Sequence, residues 1–122
     1  MNIDRDAAET WATWFKALGD PTRIVILHLL ATAGRPMSVA EIVDAVDVGQ
    51  STVSYHLKIL GDVRFLLVDR EGTSSLWRIN ENCLGCFPTA AELVMGRAPT
   101  ADQWETMTCT PAPKQQRRKA TR

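Results

Sequence analysis

Cys83 and Cys86 stand at i and i+3 in the run Cys83-Leu84-Gly85-Cys86, and a third thiol follows at Cys109. Two sulfurs so spaced, on a turn or a loop, come close enough to hold one ion, and thiolates select soft ions over magnesium or calcium. A structural zinc site takes four protein ligands, and three thiols without a nearby histidine fall short of that unless a second chain contributes. Three sulfurs suit a trigonal site for trivalent arsenic, or for mercury, cadmium or lead, so Cys83, Cys86 and Cys109 are the candidate metal ligands. The thiols must lose their protons to bind, so affinity should rise with pH over the range in which they ionise. Three cysteines cannot all pair within one chain, and a reducing cytosol keeps thiols free. Metal binding or redox sensing is therefore favoured over a disulfide framework.

A second group of residues offers different chemistry. Gln50, Ser51, Thr52, Ser54, Tyr55 and Lys58 lie on the outward side of a short helical pattern whose inner stripe is Val53, Leu57 and Leu60. Short hydrogen-bonding side chains at the N-terminal end of a helix can reach base edges while the helix terminus approaches phosphate. His56 falls between the outer face and the inner stripe, where it either packs or contacts phosphate.

The elements that must position these residues follow from periodicity and capping. Ala7, Trp11, Trp14, Phe15 and Leu18 recur at the helical period and predict an amphipathic helix ending before Gly19. Asp20 as N-cap with Pro21 at the first helical position predicts a second helix, stopped near Gly34 and buried on most sides by Ile24, Val25, Ile26, Leu27, Leu29 and Leu30. His28 on that helix reads as a satisfied structural residue. Ser38-Val39-Ala40-Glu41 is a capping box for a third helix through Val46, broken by Asp47-Val48-Gly49 before a fourth helix starts at Gln50 or Ser51. Two short helices joined by a three-residue turn containing Gly form the helix-turn-helix pattern.

Residues 65–69 and 75–79 are strand-like and flank Arg70-Glu71-Gly72-Thr73-Ser74 as a hairpin turn, which makes a wing. Gly85 and Pro88 make residues 80–88 a poor helix interior, so the Cys83/Cys86 pair is expected on a loop or a single turn. Thr89-Ala90-Ala91-Glu92 can cap a short helix through Met95, and the residues from Pro99 to Trp104 suggest a further turn or two near Cys109. The fold class expected is mainly α with a small β-hairpin wing, a winged helix-turn-helix.

At 122 residues the chain suffices for one core of ordinary size and not for two. Residues 1–110 are read as the winged helix-turn-helix domain with a C-terminal thiol-bearing helical segment, and residues 111–122 as a disordered basic tail. The formal charge of zero hides an asymmetry, since Lys114, Arg117, Arg118, Lys119 and Arg122 are five of the fourteen basic residues. The remainder has nine basic against fourteen acidic residues, a net of −5. Any nucleic-acid contact must then come from a local basic and polar face, with or without the tail. No stretch approaches the roughly 20 apolar residues that span a bilayer. The N-terminal run lacks a signal-peptide pattern, so a cytoplasmic location and no membrane partner are expected. Catalysis is disfavoured: there is no Gly-rich phosphate loop, no nucleophile elbow, and no carboxylate or histidine constellation after the wing.

Phe15-Lys16-Ala17-Leu18-Gly19-Asp20-Pro21-Thr22-Arg23 and Gln50-Ser51-Thr52-Val53-Ser54-Tyr55-His56-Leu57-Lys58-Ile59-Leu60 together resemble the arsenic-repressor (ArsR/SmtB) family of winged-helix regulators, over about residues 8 to 80. That resemblance implies a homodimeric repressor that binds a palindromic, double-stranded operator and leaves it when a metal or metalloid binds. Carried over by motif, Ser51, Thr52, Ser54, Tyr55 and His56 would face the major groove, with Lys58 and the wing residues Arg70, Thr73 and Ser74 on or near the DNA backbone. Two departures stand out. Residues 38–44 hold no Cys-x-Cys pair of the kind the best-known arsenic repressors share, and no histidine follows His56 to build the last-helix site of the zinc and nickel sensors. The thiols are what remain as an effector site, and the family favours trivalent arsenic as the ion.

Two other readings follow from the same residues. Cys83 and Cys86 can form a disulfide and sense oxidants or reactive sulfur. Alternatively, the winged helix is a protein-interaction module that binds no DNA.

Overall fold

The computed structural model describes residues 3–97. Their elements run α1 (Arg5–Ala17), α2 (Pro21–Ala33), β1 (Met37–Ser38), α3 (Val39–Val46), α4 (Gln50–Asp62), β2 (Leu66–Glu71), β3 (Ser74–Ile79) and α5 (Cys83–Val94). They divide into two units. One spans Lys16–Asn80, and the other takes the chain up to Phe15 together with the residues from Glu81 onward. Cys109 and the basic tail lie outside the described residues.

The Lys16–Asn80 unit is a helix-turn-helix with a wing, and local chemistry starts and stops its helices. Asp20 sits in extended backbone and accepts the N–H groups of Thr22 at 2.8 Å and Arg23 at 3.2 Å, while Pro21 occupies the first turn, where a missing N–H costs nothing. Gly34 ends α2 in the left-handed region at φ 67°, its N–H returning to the Leu30 carbonyl. At α3, Glu41 N–H donates to Ser38 Oγ at 3.2 Å and Ser38 N–H donates to Glu41 Oε1 at 2.9 Å, the reciprocal pair of a capping box. Asp47 closes α3 in the left-handed region at φ 57°.

Ile26 and Leu30 of α2, Met37 of β1, Ile42 of α3, Val53, Leu57 and Leu60 of α4, and Phe65 and Leu66 at the start of the wing form the core. Full burial of each large side chain contributes about 1.5–3 kcal/mol. The sheet has the order β1-β3-β2 and is antiparallel throughout, with Glu71 paired to Ser74 across a two-residue turn. The wing strands thus run further toward the turn than their apolar residues indicate. A strand not anticipated, β1, adds Met37 opposite Trp77 and Ser38 opposite Leu76.

One expectation for this unit is corrected. Helix α2 is not buried on most sides: Ile26 and Leu30 are, but Ile24 and Val25 are each about half exposed (52% and 51%) and His28 is exposed. Helices α3 and α4 and strand β3 pack against α2, and the side that carries Ile24 and Val25 is left partly uncovered.

In the other unit, Asp4 Oδ1 accepts the Ala7 N–H at 2.8 Å and opens α1, which buries Trp11 and Trp14 with ring centroids 6.5 Å apart. Phe15 meets Phe87 at 5.2 Å. Helix α5 buries Cys86, Thr89, Ala90 and Leu93, a stripe at i, i+3, i+4 and i+7. Residues 83–88 are therefore helical, not the expected loop, and Thr89 lies inside one continuous helix instead of capping a new one. Pro88 cannot donate to the Leu84 carbonyl, a defect that costs about 3 kcal/mol in a helix interior. The buried stripe offsets that cost, which no count of helix breakers reveals.

Candidate nucleic-acid interface and thiol site

Helix α4 presents the polar face its sequence indicates. Gln50, Ser51, Thr52, Ser54, Tyr55 and Lys58 are all exposed, with Tyr55 at 61%, while Val53, Leu57 and Leu60 face the core. Gly49, the N-cap, has no side chain to accept the first-turn N–H groups, so these donors are left to solvent or to an anion. Lys58 Nζ lies 3.8 Å from Asp62 Oδ2 with both side chains exposed, an attachment weak enough for the ammonium to exchange to a phosphate.

The wing is braced across its strands. Arg70 Nη1 donates to Ser75 Oγ at 2.7 Å, and Arg78 Nε donates to Asp69 Oδ2 at 2.9 Å. Gly72 adopts φ 61° in the two-residue turn beside Thr73, and Arg70, Thr73 and Ser74 are exposed there. The polar residues of α4 and the basic and hydroxyl residues of the wing all belong to the Lys16–Asn80 unit. They provide donors for base edges, donors for phosphate, and one arginine already oriented by a neighbour.

His56 departs from the expected set. It is 7% exposed, on the core side of α4, with Nδ1 3.2 Å from Arg23 Nη1 and Nε2 3.9 Å from Asp20 Oδ1. It stands three residues after Val53 and four before Leu60, which turns its ring inward and not toward a groove. Tyr55 meets the imidazole edge-on at 5.2 Å. Arg23 stands in the sequence only as part of the Asp20-Pro21-Thr22-Arg23 motif; in the fold its Nε also donates to the Ala17 carbonyl at 2.5 Å, joining the end of α1 to α4. Burial by itself would raise the Asp20 carboxyl, but the N–H groups of Arg23 and Thr22, followed by electrostatic attraction to His56 and Arg23, hold it below the usual carboxylate range.

The thiols lie at the start of α5, in the other unit. Cys83 is half-buried and is not in a disulfide; burial pushes its thiol up to about 11, so at neutral pH an incoming ion must displace a proton. Cys86, one turn on, is fully buried and disulfide-bonded. Since Cys83 is not in a disulfide, the Cys83–Cys86 disulfide considered from sequence is absent. Residues at i and i+3 on a helix hold their Cβ atoms about 5–6 Å apart, which suits two sulfurs sharing one soft ion once Cys86 is reduced. Among the described residues no three His, Cys, Asp or Glu side chains gather around one point. No helix of the described residues is long and apolar enough to cross a membrane.

Comparison with known proteins agrees with this geometry. The sequence model of the bacterial regulatory protein arsR family matches residues 20–66, the stretch from the α2 cap to the first wing strand. An uncharacterized helix-turn-helix transcriptional regulator of Methanocaldococcus jannaschii is 44% identical over 71 residues, 58% of this chain and 79% of the relative. A probable mercury resistance operon repressor of Streptomyces lividans is 31% identical over 102 residues, 83% of this chain and 75% of the relative. Among solved structures, a homodimeric winged helix-turn-helix DNA-binding domain of Mycobacterium bovis aligns with TM-score 0.61 and 28% identity, over 81% of this chain and 93% of that one. An antimony-specific transcriptional repressor aligns with TM-score 0.63 and 30% identity, over 78% and 86% of the two chains. These relatives are transcriptional regulators and not enzymes.

Proposed function

Since the chain belongs to the arsR family of bacterial regulatory proteins, we propose that it is a homodimeric, cytoplasmic repressor that reads a palindromic operator through α4 and the wing. The carrying observation is the outward polar face of α4 behind a three-residue turn, with Arg70, Thr73 and Ser74 exposed on the wing of the same unit. Gln50, Ser51, Thr52, Ser54 and Tyr55 are the groove-facing candidates, and Lys58 with the wing residues holds the backbone. The test is affinity for DNA from the protein's own upstream region against scrambled DNA of equal length, with sedimentation at the same concentrations. Preference for the upstream DNA by a two-chain species supports this reading; equal affinity, or no affinity even at low salt, overturns it in favour of a protein-interaction module.

The effector we assign is a thiophilic ion held by Cys83 and Cys86 with Cys109, trivalent arsenic before mercury, cadmium or lead. The helical spacing of the first two sulfurs supports it, as do the mercury-resistance and antimony-specific roles named for two relatives. A coupling of about 1–3 kcal/mol between ion and operator, roughly 5- to 150-fold in affinity, clears a promoter. One observation favours a second reading, redox switching: Cys86 is disulfide-bonded. In that reading a peroxide takes two electrons and two protons from Cys86 and a second thiol, and leaves as water.

A further inference from the structure

Arg23 ties together three parts of the Lys16–Asn80 unit. Its backbone N–H lies on the α2 cap, its Nε on the Ala17 carbonyl, and its Nη1 at 3.2 Å from His56 Nδ1 on the inner side of α4. A guanidinium only donates hydrogen bonds. The bond to His56 therefore requires a lone pair on Nδ1, which places the ring proton on Nε2, 3.9 Å from Asp20 Oδ1. That oxygen already receives the N–H groups of Thr22 and Arg23.

We infer that the Arg23–His56 pair is a proton-sensitive latch on the recognition helix, open when His56 takes up a second proton. Protonation at Nδ1 turns the acceptor into a donor aimed at a cation and breaks the bond. Among the described residues Asp20 is then the partner of opposite charge, and its oxygen is shared between the imidazolium and the α2 cap. His56 is 7% exposed, so water does not simply replace the lost partner.

The other charges around α4 are engaged or turned away. Helix α3, packed against α4, carries Glu41, paired with Arg35 at 3.2 Å, and the exposed Asp44 and Asp47. Strand β2 carries Asp69 on Arg78, Arg70 on Ser75, and the exposed Glu71. On α2 and its cap, Asp20 and Arg23 are the charged groups that meet the ring.

The consequence for DNA rests on the repressor reading; the latch itself does not. Two measurements separate them. Heteronuclear NMR of the full chain, on acidification from about pH 8 to about pH 5.5, follows His56 Nδ1, the Arg23 Nη protons and the amide exchange of α4. Upstream-DNA affinity is measured over the same span for the wild type and His56→Asn, whose Oδ1 can accept from Arg23 but cannot be protonated. The expected result is loss of the Arg23–His56 bond and faster exchange in α4 on acidification, with wild-type affinity falling roughly 3- to 10-fold, the equivalent of one hydrogen bond, beyond any fall in the variant. A bond that persists, α4 exchange that does not change, or a variant that loses affinity as steeply as the wild type overturns the latch. Absence of DNA binding at the upper pH overturns the repressor reading, and the NMR arm still decides the latch.

Discussion

Thr22 donates its N–H to Asp20 Oδ1 at 2.8 Å, so the cap of α2 and the buried His56 of α4 draw on the same carboxylate oxygen. The Asp20 carboxyl is held below its ordinary range by the backbone N–H groups of Arg23 and Thr22 and by attraction to the neighbouring His56 and Arg23. Glu41 is lowered by the Ser38 backbone N–H, then by Arg35. Groups depressed in the folded state contribute stability that is complete above the ordinary carboxylate range and lost as pH falls through it. Thermal melts should therefore show the melting temperature dropping below that range. Asp20→Asn, which keeps a capping oxygen, should flatten the drop; an unchanged pH profile in the variant would remove Asp20 from the account.

Asp47 occupies the left-handed region at φ 57° at the end of α3, where glycine is unstrained. Asp47→Gly should stabilise the protein by about 0.5–1 kcal/mol, seen as a rise in denaturation midpoint without a change in slope. A lower midpoint would mean that the aspartate side chain contributes more than its backbone strain.

A Cβ on Gly61 would stand 3.2 Å from Trp77 Cζ3. Gly61→Val should displace that ring and cost about 1–3 kcal/mol by overpacking, despite removing a helical glycine. Chemical denaturation with tryptophan fluorescence reads both effects, and an unshifted midpoint would show that the sheet moves aside freely.

Much of this fold was legible because its signals are local. Asp20-Pro21, Ser38 with Glu41, and Gly34 each act on groups within four residues, and each sits where its chemistry places it. Other features depend on distant partners. β1 is two residues long and is defined by Trp77 and Leu76, some forty positions away. The continuity of α5 through Pro88 depends on burial of Cys86, Thr89, Ala90 and Leu93, and the exposure of Ile24 and Val25 on how little there is to cover α2. The outward residues of α4 could be read from periodicity, whereas His56, at the boundary of the apolar stripe, is placed by Arg23, whose reach from α2 no spacing rule gives.

Base-edge and phosphate contacts should separate by mutation. Gln50→Ala should cost about 1–3 kcal/mol on the preferred operator and relax discrimination at one base pair. Lys58→Ala should weaken all DNA about equally and lower the salt slope by about one. Competition assays at several salt concentrations read both. A Lys58 variant that alters sequence preference would contradict the assignment of that residue to the backbone.

The most direct test of the central claim is fluorescence anisotropy of labelled upstream DNA with fully reduced protein, titrated in parallel with arsenite, mercury, cadmium, lead, zinc and peroxide, alongside Cys83→Ser and Cys86→Ser. The account predicts release by a thiophilic ion, arsenite first, at near-stoichiometric amounts, and loss of that response in each variant. Tight binding that no ion disturbs, or release that survives either substitution at the same concentration, would contradict it.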